Sequence, residues 1–401
     1  MRRTRFPAAG LLAAVCLALA TLSPTPAHAA PPTPPDAEAG AAWIARQLHA
    51  TGDVVVDGGV TEWGVTIDAL LGLISTGVQA DQIAATSAKL YASGEAYIGA
   101  AADVANSWPR VAKVSLALQA AGLDPTRFPD GSTTRDLIAE LRAVVGADGS
   151  LGAAGVDSIF NHPLAMLVFA RTTAGVPAST VTWILDQQCS DATAAGYGSF
   201  GWAPDCSAPD TDSTALVVQA LVAAKADDAA IARAVAWLKT QQAASGGFDS
   251  WGAVNTNTSG LVAQTLGDID PAAALRAAQF IGTMQLGCDS PDVGAIAYDA
   301  AGRQAAGSAA LAGLTPQFLR ASAQAVMGLG GPSLAELSAR DAVNRPAPAC
   351  QVVAPTTPSQ PAVPEVATGG AAAPGALALV PLALLLVVAG AVAASRSRAL
   401  R

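Results

Sequence analysis

Apolar helical segments about fifty residues apart restrict the fold of this chain more than any other feature. Three of them end in Gln followed by Ala or Thr, at Gln119, Gln219 and Gln264. Aligned on that ending, Gly64, Ala112, Asp212 and Asn257 share one register position. The helix His162-Pro-Leu-Ala-Met-Leu-Val-Phe-Ala adds His162 to the series. Successive separations are 48, 50, 50 and 45 residues. A sixth copy is expected near Gln317, after an insertion from Cys288 to Gly313. Between Ala39 and Val343 the apolar residues keep helical spacing, and strand-like alternation is absent. Internal repetition at this period signals stacked helical hairpins.

A second kind of segment alternates with the first. It begins with an aromatic and carries glutamine a turn later: Trp43 to Gln47, Trp183 to Gln187 and Gln188, Trp237 to Gln241 and Gln242, Phe280 to Gln285. Gly-rich loops follow two of these, at Gly196–Trp202 and Gly246–Gly252. The Gln-Ala helices are almost devoid of charge on every face. A helix apolar all round is buried all round, which favours a closed ring over an open solenoid.

The stretches Trp237-x3-Gln241-x4-Gly246-Gly-Phe-x-x-Trp251 and Trp183-x3-Gln187…Gly201-Trp202 resemble the QW repeats of the terpenoid cyclase and protein prenyltransferase superfamily. The resemblance spans roughly Ala39 to Val343. It implies an all-α (α/α)6 toroid of six helical hairpins. Asp210-Thr211-Asp212-Ser213-Thr214-Ala215 is similar, at five of six positions, to the D-x-D-D-T-A motif of class II cyclases, with Ser213 in place of the third acid. The resemblance places Asp212 where those enzymes keep their proton donor, beside Asp210. A single fold supports many activities, and this one also hosts cobalamin carriers and complement-type domains.

The ends of the chain predict its location. Arg2, Arg3 and Arg5 precede an apolar run from Ala8 to Leu22, and Ala27-His28-Ala29 fits a cleavage site, so residues 1–29 read as a signal peptide. Residues 30–345 form the expected toroid ectodomain, and residues 346–374, rich in Pro, Thr and Ala, read as a stalk. The uncharged run Ala376–Ala394 predicts one transmembrane helix over 375–395, and the arginines of residues 396–401 a cytoplasmic tail. Val366-Ala367-Thr368-Gly369 before the span also resembles a sortase signal, although Glu365 and Val366 depart from that motif. Membrane anchoring by the C-terminal helix and sortase-mediated wall attachment are both left open.

Charge excludes one class of partner. The chain has 22 basic and 31 acidic residues, and three arginines at each end belong to the signal and the tail. The ectodomain therefore carries 16 basic residues against 31 acids, a net of −15. Such a surface repels phosphates, so no nucleic-acid partner is expected. Cys189, Cys206, Cys288 and Cys350 remain after signal removal, an even number that reads as disulfides outside the cell. The expected pairs are Cys189–Cys206 and Cys288–Cys350. No metal site is expected, because His49 and His162 both lie far from these cysteines.

The polar residues that open the apolar helices admit two readings. Asp210, Asp212, Asn255 and Asn257 suit N-capping, and His162-Pro163 suits a helix start. If the helices close a ring, the same positions share one mouth, where positive helix ends favour a polar or anionic ligand group. His162, Asp212, Asn257 and Asn255 are the expected ligand contacts there. Asp68 and Lys113, one turn inside their helices, would line the bore, and Trp202 and Trp251 would stand beside the mouth. Cyclisation needs aromatic faces around a cation, and aromatics make up 5% of the chain. The expected role is a surface protein that binds a small ligand without catalysis. A class II cyclase-like enzyme using Asp212 and a structural surface protein are the alternatives. No cofactor is required by the sequence; a cobalamin-like ligand would suit the resemblance.

Overall fold

The computed structural model describes residues 36–202, 206–250, 252–348 and 350. The expected signal peptide, transmembrane helix and basic tail, nearly all of the stalk, and Trp251 lie outside the described residues. Among those described, no helix is long and apolar enough to cross a membrane.

The described chain is built from outer–inner helix pairs. The first pair is α1 (Ala37–Ala50) and α2 (Trp63–Thr76), and the second is α3 (Ala80–Ser93) and α5 (Val104–Ala121), with the short α4 (Glu95–Ile98) between them. Then follow α6 (Leu137–Ala143) with α7 (His162–Ala170), α8 (Ala178–Leu185) with α9 (Thr211–Ala223), and α10 (Asp228–Thr240) with α11 (Thr256–Leu266). The last pair is α12 (Pro271–Met284) and α14 (Thr315–Ala325), separated by α13 (Ala300–Ala306). Acidic or amide side chains start many of these helices. Asp36, Asp136, Asp210, Asp227, Asn255 and Asp270 each accept a hydrogen bond from a first-turn amide, which satisfies donors that have no partner within the helix.

Each inner helix packs on the next, in the order α2, α5, α7, α9, α11, α14, and α14 packs back on α2. The Gln-Ala helices are thus the inner staves of a closed ring, and the aromatic helices form the outer layer. Closure at α14 depends on bare backbone. A Cβ at Gly72 would lie 2.6 Å from the Ala323 carbonyl oxygen, and one at Gly260 would lie 2.7 Å from Ala325 Cα. Only glycine permits that approach.

The outer layer is held by a repeated polar staple. The second glutamine after an outer helix donates to a loop carbonyl and to the start of the next outer helix. Gln188 Nε2 donates to Gly198 O and Ala230 O, and Gln242 Nε2 to Gly246 O and Ala273 O. Gln285 Nε2 donates to Gly294 O and Asp36 O, so the last repeat is stapled to the first. The aromatic of the motif has its own partner: Trp237 Nε1 donates to Ala195 O, and Trp43 Nε1 to Asp292 Oδ1. Tryptophan or phenylalanine and glutamine therefore recur where wedges of the ring meet through the same contacts, at α8–α10, α10–α12 and α12–α1.

Three small antiparallel hairpins precede inner helices or fill loops: β1 (Val56–Asp57) with β2 (Val60–Thr61), β3 (Phe128–Asp130) with β4 (Thr133–Arg135), and β5 (Phe248–Ser250) with β6 (Ala253–Asn255). The Cys189–Cys206 and Cys288–Cys350 disulfides are both formed, with Cα separations of 5.0 and 5.5 Å. Two disulfides suit an oxidising compartment.

Beyond α14 the chain crosses the C-terminal ends of the inner helices as a strap. Gln264 Nε2 donates to Pro332 O at 2.7 Å, and Leu334 N donates to Gln219 Oε1 at 2.8 Å. The Arg171 guanidinium holds the carbonyls of Leu334, Ala335 and Leu337. Ala339 N reaches Ala120 O, and Val343 N reaches Gly77 O. Leu334 and Leu337 are buried beneath the strap. The shared Gln ending of the inner helices thus serves this closure at Gln219 and Gln264.

Candidate functional site

The ring encloses a cavity of about 380 Å³ that opens at the N-terminal ends of the inner helices. All six inner helices line it. Its wall is Leu71, Leu116, Leu164, Leu216 and Leu261, with Met327 and the strap residue Leu334 deeper in. The strap makes it blind-ended. A larger cleft of about 760 Å³ lies near the opposite ends of α5 and α7. Its arginines are already engaged, Arg142 by Thr172 and Gly175, Arg171 by the strap. The central cavity is therefore the better candidate site.

Two acids open α9 and do different work. Asp210 is the N-cap: its Oδ1 accepts from Ser213 N at 2.7 Å, and the residue is buried. Asp212 sits in the first helical turn and faces the cavity. Ser250 donates to its Oδ2 at 3.2 Å, and the Thr258 hydroxyl bonds it as well. Burial raises the Asp212 carboxyl to about 6, helped by the nearby Asp210 charge and opposed by the Thr258 and Ser250 hydrogen bonds. Burial also raises the hydroxyl of Tyr298, with the charges of Asp212, Asp299 and Asp249 acting in the same direction.

Asn257, in the first turn of the neighbouring α11, lines the cavity, and its buried Oδ1 has no hydrogen-bond partner. Asp68 and Lys113 are in the wall and bound to each other at 2.6 Å. Lys113 Nζ also donates to Gly64 O, and Gln324 Nε2 donates to Asp68 Oδ2. Trp202 is 53% exposed and stacks on Phe160, which lines the cavity.

Two expected ligand contacts are placed elsewhere. His162 is fully buried and stacked on Trp183. Its Nε2 donates to Thr180 O at 3.1 Å, and its Nδ1 lies 3.0 Å from Asp157 Oδ2. The preceding residue, Asn161, lines the cavity instead. One residue along a helix is a turn of 100°, so a shift of one separates the inward from the outward face. Asn255 is the N-cap of α11; its Oδ1 accepts from Thr258 N, and its Nδ2 is bonded to Ala253 O and Thr258 Oγ1.

Tyr97, Arg110, Asn161, Gln324 and Leu334 also line the cavity and were not among the expected contacts. Gln324 carried a usable signal, the Gln-Ala pair it shares with Gln119 and Gln219. Tyr97 lies in the short connecting helix α4 and Leu334 in the strap, where no repeat marks them.

Comparisons with known proteins add little to this geometry. No family model matches the chain, and no curated protein matches it. Among solved structures, a protein from Actinoplanes is similar over 73% of this chain and 98% of its own, at 15% identity and a TM-score of 0.46. An ent-copalyl diphosphate synthase from Streptomyces platensis is similar over 73% of this chain and half of its own, at 18% identity and a TM-score of 0.35. At these values the functional reading rests on the cavity itself.

Proposed function

We propose that this protein is an exported, surface-tethered binding protein that takes a small amphipathic molecule into the centre of its ring. One observation carries the reading: a blind-ended cavity, leucine-walled below, with polar side chains near its mouth that the fold leaves unbonded. Apolar enclosure with a few placed polar groups is the usual form of a small-ligand site. The volume of about 380 Å³ suits a compact ligand, and a corrinoid would not fit within it. Native mass spectrometry of the chain purified from its own host tests this. A retained, denaturation-released molecule is the expected result, and an empty chain that takes up nothing from a lipid extract would leave the structural role.

One observation favours a second reading. The Asp212 carboxyl, raised to about 6 and facing the cavity, is placed to give a proton to an alkene, as in a class II cyclase-like enzyme. Against it, among the described residues the aromatic side chains lining the cavity are Tyr97 and Phe160, a sparse surface for a carbocation. Gas chromatography of products from squalene or geranylgeranyl diphosphate separates the two readings, because a binding protein returns the substrate unchanged.

A further inference from the structure

We propose that the cavity recognises the ammonium group of a small aliphatic amine, with Asp212 as counter-charge and the amides of Asn161 and Asn257 as flanking acceptors. The inference names the head group of the ligand and so rests on the binding reading above.

Three consecutive inner helices, α7, α9 and α11, bring Asn161, Asp212 and Asn257 to one cavity. The side-chain amides of Asn161 and Asn257 make no hydrogen bond, and Asn257 Oδ1 is also cut off from solvent. A buried acceptor without a donor is unfavourable, and a ligand group that donates removes the deficit. A primary ammonium carries three N–H donors and no acceptor. It matches one carboxylate and two amide oxygens. A hydroxyl offers one donor, and a carboxylate offers none.

Among the described residues, the groups on the elements packed against α9 leave Asp212 no free cation. Asp210 on its own helix, Asp249 in β5, and Tyr298 and Asp299 in the loop before α13 are acidic or neutral. On α7, His162 is engaged by Asp157 and Thr180. On α10, Arg233 is bonded to Gln188 and Lys239 to Asp270. Lys113 is committed to Asp68 and Gly64, and Arg110, on α5, is exposed at the rim and separated from α9 by α7. A ligand ammonium therefore supplies the positive charge that these engaged groups do not, and Arg110 at the rim is the other cation lining the cavity. Its apolar body lies against Leu164, Leu216, Leu261 and Leu334. The acidic ectodomain adds long-range attraction for cations.

Three probes of one chain length test this: octylamine, 1-octanol and octanoate, titrated calorimetrically into the full chain at about pH 5 and about pH 7.5. Octylammonium is expected to bind most tightly at the higher pH. It should weaken about tenfold at the lower pH, because a carboxyl titrating near 6 is then mostly protonated. Asp212→Asn should remove that pH dependence and weaken octylammonium at least tenfold at the higher pH, with 1-octanol unchanged. Asn257→Ala should weaken octylammonium alone. Tighter binding of octanol or octanoate, or an octylammonium affinity flat across the two pH values, would overturn the head-group assignment while leaving the binding reading intact. Failure of all three probes to bind would overturn both.

Discussion

Replacing Asp212 by asparagine should make this protein more stable at neutral pH and leave it unchanged in acid. The folded state holds the carboxyl near 6, against an ordinary value of 3.8. Below about 3.8 the group is protonated whether folded or unfolded, and no penalty exists. As pH rises through 6, the folded state loses a proton that burial wants retained. Stability therefore falls through that window and stays lower above it. The difference of 2.2 pH units corresponds to about 3 kcal/mol as an upper bound. Asparagine keeps an acceptor for Ser250 and Thr258 but loses the favourable interaction of an acid with a helix N-terminus, about 0.5 kcal/mol. The net gain is about 2 kcal/mol at pH 7.5. For a ring of about 300 residues this corresponds to a rise in Tm of about 3 °C. Differential scanning fluorimetry of both chains at pH 4 and pH 7.5, at one ionic strength, reads it directly. Equal Tm values at pH 7.5, or the same gain at both pH values, would refute the argument that burial destabilises the Asp212 carboxylate.

The neighbouring acid should behave in the opposite way. Asp210→Ala removes the cap of α9 and should cost about 1 kcal/mol in urea unfolding at pH 7, so a neutral effect would sink its assignment as the cap. Leu334→Ala removes the buried floor of the cavity and should destabilise by about 3 kcal/mol. It should also admit probes longer than octylamine, and an unchanged length preference would show that the strap does not set the depth.

Much of the ring was legible because its wedges repeat their contacts. Trp43, Trp183, Trp237, Phe280 and their glutamines marked outer helices, since the wedges stapled at Gln188, Gln242 and Gln285 use the same kind of residues. The outer helices α3 and α6 lack that aromatic, and α6 has only seven residues, so periodicity could not find them. Strands of two or three residues in the hairpins are too short for alternation to register. At the site, Asp212 and Asn257 could be placed in the wall from their position at inner-helix starts, and Asp68 and Lys113 from their position further inside α2 and α5. His162 could not, because an alignment by spacing tolerates an error of one residue and the ring does not. The separate duties of Asp210 and Asp212 were also illegible, since both residues suit a cap until the backbone shows which one precedes the first turn. Asn161 and Leu334 became visible only once α7 was oriented and the strap was laid across the far mouth.

The strap also sets an order in time. The cavity floor is Leu334, close to the end of the described chain, and the partner that seals α2 is α14, some 250 positions later in the sequence. A growing chain that has emerged through its fifth hairpin has walls but neither a closed ring nor a base. The pocket therefore comes into being only after almost all of the described chain has been made, and nothing can be captured in it before then. Whatever enters the ring enters it complete.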